Sequence, residues 1–129
     1  MKIAIAVLSF NRHQYFKQVI ESLKNQTKLS NKDIFFFSDG AVNKFSKREV
    51  AKEKDINLCR QLIKQYCPNA GKFFSKDNIG IGLMFDWIHT ELYEKRNYDM
   101  VYFFEDDMVL SKYYIEIMDY LSSLKDDSI

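Results

Sequence analysis

Proline and glycine are scarce in this chain of 129 residues, with one proline and four glycines. That scarcity excludes collagen-like, linker-rich and turn-dominated architectures. There are only two cysteines, Cys59 and Cys67, eight apart and with no CxxC spacing, so neither a disulfide framework nor a cysteine zinc site is expected. They read as buried or half-buried free thiols. The two histidines, His13 and His89, stand apart from each other and from the cysteines. No charge of one sign dominates, since the formal net charge is +1. Lys44, Lys47, Arg48, Lys52 and Lys54 lean basic, but Glu49, Glu53 and Asp55 are interleaved with them, which reads as a solvated helix face and not a nucleic-acid surface. No run approaches the roughly 18 apolar residues of a membrane span. The apolar start, Met1 to Phe10, is broken by Asn11, Arg12 and His13 without a small-residue cleavage site, so it reads as a strand. A reduced, cytoplasmic setting is the expectation.

What is present is apolar sequence, 47% of the residues, arranged in short runs that alternate with longer segments of helical period. This is the pattern of βα units around a parallel sheet, and the length suits one domain over residues 1–129. Strands are predicted at Ile3–Ser9, Asp33–Ser38, Lys72–Ser75 and Met100–Phe104. The first helix, from about His13 to Asn25, turns Phe16, Val19, Ile20 and Leu23 to one face. The second is expected to open on a Ser-x-x-Glu capping box, Ser46 to Glu49, and to present Cys59, Leu62, Ile63 and Tyr66 before Pro68. The third, about Gly80 to Lys95, should bury Ile81, Met84, Phe85, Ile88 and Leu92. Ser111 is expected to cap a last helix burying Tyr114, Ile117, Met118 and Leu121. No repeat, low-complexity tract or linker divides the chain.

The most informative stretch is YFFEDDMVL, residues 102–110, in which an apolar strand runs straight into Glu105, Asp106 and Asp107. Carboxylates withdrawn from water need compensation, and three in a row repel one another. Mg²⁺ or Mn²⁺, hard cations that complete their shells with phosphate oxygens, would answer both problems. A solvated loop whose acids favour the positive end of the last helix would answer them equally well. Ligands of open parallel sheets bind beyond the carboxyl ends of the strands, where the winding reverses. With strand order 3-2-1-4, Ser9, Asn11 and Arg12 after the first strand, Asp39 and Gly40 after the second, and the three acids after the fourth would line one crevice. Asp77 to Gly82 opens the third helix with two glycines. A glycine fingerprint after the first strand and a Walker A sequence are both missing, which argues against dinucleotide and P-loop sites.

With IAVLSFNR, DIFFFSDG, NIGIGLMFD and VYFFEDDMVLS in this order, the chain resembles the nucleotide-binding half of a GT-A-fold glycosyltransferase, most nearly family 2 and its relatives. The resemblance implies a Rossmann-like α/β fold and a nucleotide diphosphate sugar donor. It also implies a glycan or other hydroxyl acceptor. Asp107 is implied as the metal ligand of a DXD element, with Asp106 and Glu105 at ribose and phosphate. Asp39 is implied at the nucleotide base, with Ser9, Asn11 and Arg12 in the loop beside it. Asn78 and Gly80 match the family's N-x-G, whereas Phe85 and Asp86 stand where an Arg-Asn pair is expected. The family's catalytic base lies in a later, acceptor-binding portion, and the only acids near the end, Asp126 and Asp127, are poor candidates. The reading is therefore a donor-binding part with no catalytic residue of its own, in a protein open to peripheral membrane association. A non-catalytic nucleotide-sugar-binding module is the alternative. A receiver-like signalling domain fits less well, because its acidic pair would follow the first strand. A nucleotidyltransferase fits less well too, because its glycine-rich basic loop is missing.

Overall fold

The computed structural model describes residues 1–127, with side chains to Leu124. Four parallel strands, β1 (Ile3–Ser9), β2 (Asp33–Ser38), β3 (Gly71–Phe74) and β4 (Met100–Phe104), form one sheet in the order β3-β2-β1-β4. This is the expected order. Between them run the helices α1 (His13–Lys24), α2 (Glu53–Tyr66) and α3 (Gly80–Ile88), and α4 (Tyr114–Asp127) closes the chain.

Alternation along each strand decides which helix covers which face. Ile5 and Val7 of β1, Phe36 of β2 and Tyr102 and Phe104 of β4 point to one side. There they meet Phe16, Val19, Ile20 and Leu23 of α1, Cys59 and Ile63 of α2, and Ile115 of α4. Ala4, Ala6, Leu8, Phe37 and Val101 point to the other side, where Met84, Ile88, Leu92 and Tyr98 cover them. The small alanines of β1 let α3 approach closely. Phe37 stacks on Phe73 with ring centroids 4.6 Å apart, and Trp87 meets both rings edge-on. Both faces are thus covered by helices, which is why the strands read as apolar runs.

Several local expectations are corrected. Ser46 to Glu49 opens no helix, and α2 begins at Glu53. The segment is instead a short hairpin, with Val42 bridged antiparallel to Glu49. Asn43 is the reason: its Oδ1 accepts from Phe45 N and Ser46 N, both at 3.0 Å, and this side-chain turn captures the amides a helix would use. Lys44, Lys47 and Arg48 therefore sit on a hairpin and not on a helix face. Ile81 and Phe85 are exposed, 61% and 41%. Phe85 meets Phe103 of β4, an edge strand with no further strand beside it among the described residues. The helix that begins as α3 widens to a π-helical turn over His89–Lys95. On α4 Tyr114 and Met118 pack inward as expected, but Ile115 and Ser122 complete the buried face, while Ile117 and Leu121 are exposed. The first turn of α4 is held by Gln26, whose Oε1 accepts from Ile115 N at 2.9 Å; Ser111 contributes its backbone carbonyl, to Tyr114 N and to Gln26 Nε2.

Candidate functional site

The strand register sets the geometry at the carboxyl edge of the sheet. Ser9 lies opposite Ser38 and Val7 opposite Phe104, so β1 and β2 end level while β4 stops two residues earlier. Glu105 and Asp106 therefore leave the sheet beside Leu8 and Ser9. A cavity of about 300 Å³ opens there, between the ends of β1, β2 and β4 and the start of α3. That volume is at the small end of ligand pockets. Ser9, Asp39, Asn78, Gly80, Glu105 and Asp106 line it, over an apolar wall that includes Leu8, Met84, Val50 and Ile81. Arg12 and Asp107 border an adjoining depression with Tyr15 and Val109. Asn11 is half-buried in the bend between β1 and α1 and touches neither hollow.

Asp39 is the organising residue of the cavity floor. Buried to 8% exposure, its Oδ1 accepts from Gly40 N and Ile79 N, both at 2.8 Å. Its Oδ2 accepts from Asn78 Nδ2 at 3.1 Å and Gly80 N at 3.0 Å. A carboxylate has about four lone-pair sites, and these four donors occupy them. No side chain within α3 caps that helix, so Asp39, just past the end of β2, supplies the negative charge and the acceptors its first turn needs. Two glycines make the arrangement possible. Gly80 adopts φ +81°, and a Cβ on Gly40 would stand 2.5 Å from the carbonyl carbon of Asp77.

The three acids are compensated separately. Asp106 Oδ2 accepts from Phe10 N at 3.1 Å. Burial nonetheless pushes its carboxyl above the ordinary 3.8, with the Phe10 amide and the Arg12 charge pulling it back and the Asp107 charge adding to the rise. Asp107 Oδ2 pairs with Arg12 Nη1 at 2.9 Å, both side chains about half exposed. Glu105 is exposed to solvent. Beneath them lies Ser9, 3% exposed, whose Oγ has no hydrogen-bond partner of good geometry. The neighbouring Cys59 thiol is pushed up to about 12, chiefly by burial, with Asp106 adding and contact with the Ser9 hydroxyl opposing.

Among the described residues no three His, Cys, Asp or Glu side chains converge as a metal cage. The carboxylates diverge: Glu105 and Asp106 line the cavity, whereas Asp107 pairs with Arg12. This donor set fits only an open site, in which one or two carboxylates meet a hard cation and phosphate supplies other ligands. The side chains of Asp126 and Asp127 lie outside the described residues.

One contributor was not read from the sequence. Arg60 reaches from α2 to the ends of β2 and β3, donating to Ser38 Oγ at 2.8 Å and to the carbonyls of Ser38, Asp39 and Ser75 at 3.3, 3.1 and 2.8 Å. Burial lowers its pKa, and the Asp39 charge works against that. Through its Nε and Nη2 the guanidinium ties the ends of β2 and β3 together beneath the cavity. Its signal in the sequence was an arginine one position after Cys59, at the border of a buried helix face.

No family model and no curated protein matches this chain. Among solved structures, the crystal structure of Staphylococcus aureus TarS, a glycosyltransferase with a GT-A-like fold, superposes with a TM-score of 0.63 at 14% sequence identity. The match covers 93% of this chain and 19% of that one. The fold is glycosyltransferase-like. At this identity the likeness concerns the fold, and this chain spans about a fifth of the length of TarS.

Proposed function

We propose that this chain is the donor-binding part of a metal-dependent glycosyltransferase, which moves a sugar from a nucleotide diphosphate to an acceptor hydroxyl. The observation that carries the reading is the meeting of Ser9, Asp39, Glu105 and Asp106 around one cavity, with Arg12 and Asp107 at a second depression, at the carboxyl edge of a parallel sheet whose fold is like that of TarS. In this reading the apolar wall takes the base, and Ser9, Asn78, Gly80, Glu105 and Asp106 surround the nucleotide, while Asn11 stands outside the hollow in the bend after β1. Asp107 is assigned as the protein ligand of Mg²⁺ or Mn²⁺, a cation that when bound would neutralise charge on a departing diphosphate. Arg12, half-exposed at the rim and held by a single ion pair, is the side chain suited to meet the same charge.

Titration calorimetry with UDP, GDP and dTDP, each with and without Mn²⁺, tests the reading. Metal-dependent binding of one nucleotide, lost in Asp107→Ala, is the expected result. Binding that ignores both metal and Asp107 contradicts it. The engagement of Asp39 by α3 and of Asp107 by Arg12 also favours a second reading, a module that binds nucleotide sugars without turning them over. Release of free sugar or transfer to an added acceptor separates the two.

A further inference from the structure

The hairpin between β2 and α2 belongs to neither the core nor the cavity floor. Its tip residue, Phe45, is 81% exposed, the highest value among the large apolar side chains. Such exposure in a loop would ordinarily signal slack chain, yet this turn is closely braced. Besides the Asn43 side-chain turn, Asn43 N donates to Arg48 O, Lys47 N to Asn43 O and Val50 N to Ala41 O, all within 2.9 Å. Lys47 takes the left-handed φ of 61° that closes the turn. The base is bolted to the α3 junction, because Asn78 N donates to Val42 O. A rigid aromatic held in water is an anchor without its partner.

The charge around it indicates the partner. From Ala41 to Val50 there are three cations, Lys44, Lys47 and Arg48, at and beside the tip, and one acid, Glu49, at the bridge with Val42. All three are exposed, and none forms an ion pair among the described residues. An exposed ring ringed by unpaired cations matches an interface that is apolar within and anionic at its surface. We propose that this hairpin docks on an anionic lipid bilayer, with Phe45 entering the headgroup boundary and Lys44, Lys47 and Arg48 meeting lipid headgroup charges. Val50, at the hairpin's base, lines the cavity, so docking brings the crevice beside the bilayer surface. The proposal does not depend on what the crevice binds.

Co-sedimentation of the full chain with vesicles tests it. Binding is expected to phosphatidylcholine vesicles containing phosphatidylglycerol, not to phosphatidylcholine alone, and to fall steeply between about 0.1 and 1 M salt. Phe45→Ala should weaken it about tenfold, and Lys44→Gln and Lys47→Gln about fivefold each. Lys64→Gln, on α2 and remote from the hairpin, should change it less than about twofold. In Phe45→Trp, vesicles should shift the added emission to the blue over the background of Trp87. Equal binding to neutral vesicles, equal loss in Lys64→Gln, or an emission from Phe45→Trp that vesicles leave unshifted would overturn the proposal. So would binding to soluble heparin that competes with vesicles and ignores Phe45, which would make the hairpin a polyanion site.

Discussion

Gly40 and Gly80 lie at the same junction but for different reasons, and the two reasons predict different costs. Gly80 has open space where a Cβ would go and only its φ of +81° to protect, so Gly80→Ala should cost about 1 kcal/mol in urea unfolding. At Gly40 the obstacle is the Asp77 backbone, which cannot swing aside as a side chain would, and Gly40→Ala should cost roughly 3 kcal/mol. Asp106 gives a pH test. Its folded-state carboxyl is raised by burial, so the folded protein holds a proton that the unfolded chain has already released. This penalty is absent below the unfolded pKa, grows as pH rises through the window up to the raised folded value, and is fully present above it. Asp106→Asn keeps an oxygen for the Phe10 amide and removes the penalty. It should raise the melting temperature at pH 7 and lose that advantage on acidification to about pH 3. A gain that is the same at both pH values would mean that charge burial is not the cause.

At the scale of elements, the last helix is placed by side chains far from it in sequence, Gln26 first among them. Gln26 donates to Ser22 O and Ser111 O and accepts from Ile115 N, so one carboxamide joins the end of α1, the approach to α4 and the first turn of α4. Lys32 and Asp119 fix the same face, their ion pair at 2.8 Å sharing Asp119 with the Tyr102 hydroxyl. Gln26→Ala strands polar groups in a buried spot and should cost about 2 kcal/mol, whereas Gln26→Glu keeps the acceptor but adds a buried charge and should not restore it. Chemical denaturation of both variants checks this. Here lies the boundary of what the sequence disclosed. The strands and the α1 face were legible because apolar periodicity is a local property; βα alternation alone fixes no sheet order, and the order 3-2-1-4 was supposed from the crevice it would form and from the family resemblance. The full buried face of α4 was not legible, because it is set by Gln26 and Lys32, far away in sequence. Nor was the hairpin, where Ser46 and Glu49 imitate a capping box while Asn43, three residues earlier, takes the amides first. In the candidate site, Asp39 and the acids were visible as types at strand ends. Their existing partners, α3 for Asp39 and Arg12 for Asp107, are tertiary contacts that no local pattern encodes.

At the scale of the whole molecule the sheet has two edge strands, β3 and β4, and it is β4 that borders exposed aromatic rings. On the inner side β4 pairs with β1 throughout its length; among the described residues no strand pairs with its outer edge. One outward amide is already covered, since Val101 N donates to the Tyr93 hydroxyl at 3.1 Å. Phe103 has no such shield. It is 39% exposed and meets Phe85, itself 41% exposed, with ring centroids 5.4 Å apart. Ile81, one helical turn before Phe85, continues the apolar strip along α3. An edge strand beside such a strip is a template for pairing with another chain, and proteins that leave an edge free usually place a charge on it. This chain, studied alone, should therefore self-associate as its concentration rises, which sedimentation velocity would register as an increasing average coefficient. Phe103→Lys puts a charge on the outer face without touching Tyr102 or Phe104, which carry the core on the opposite face. It should abolish the concentration dependence while changing stability by less than about 1 kcal/mol. A concentration-dependent coefficient that survives Phe103→Lys and disappears in Phe45→Ala would place the contact at the hairpin and leave the β4 edge inert.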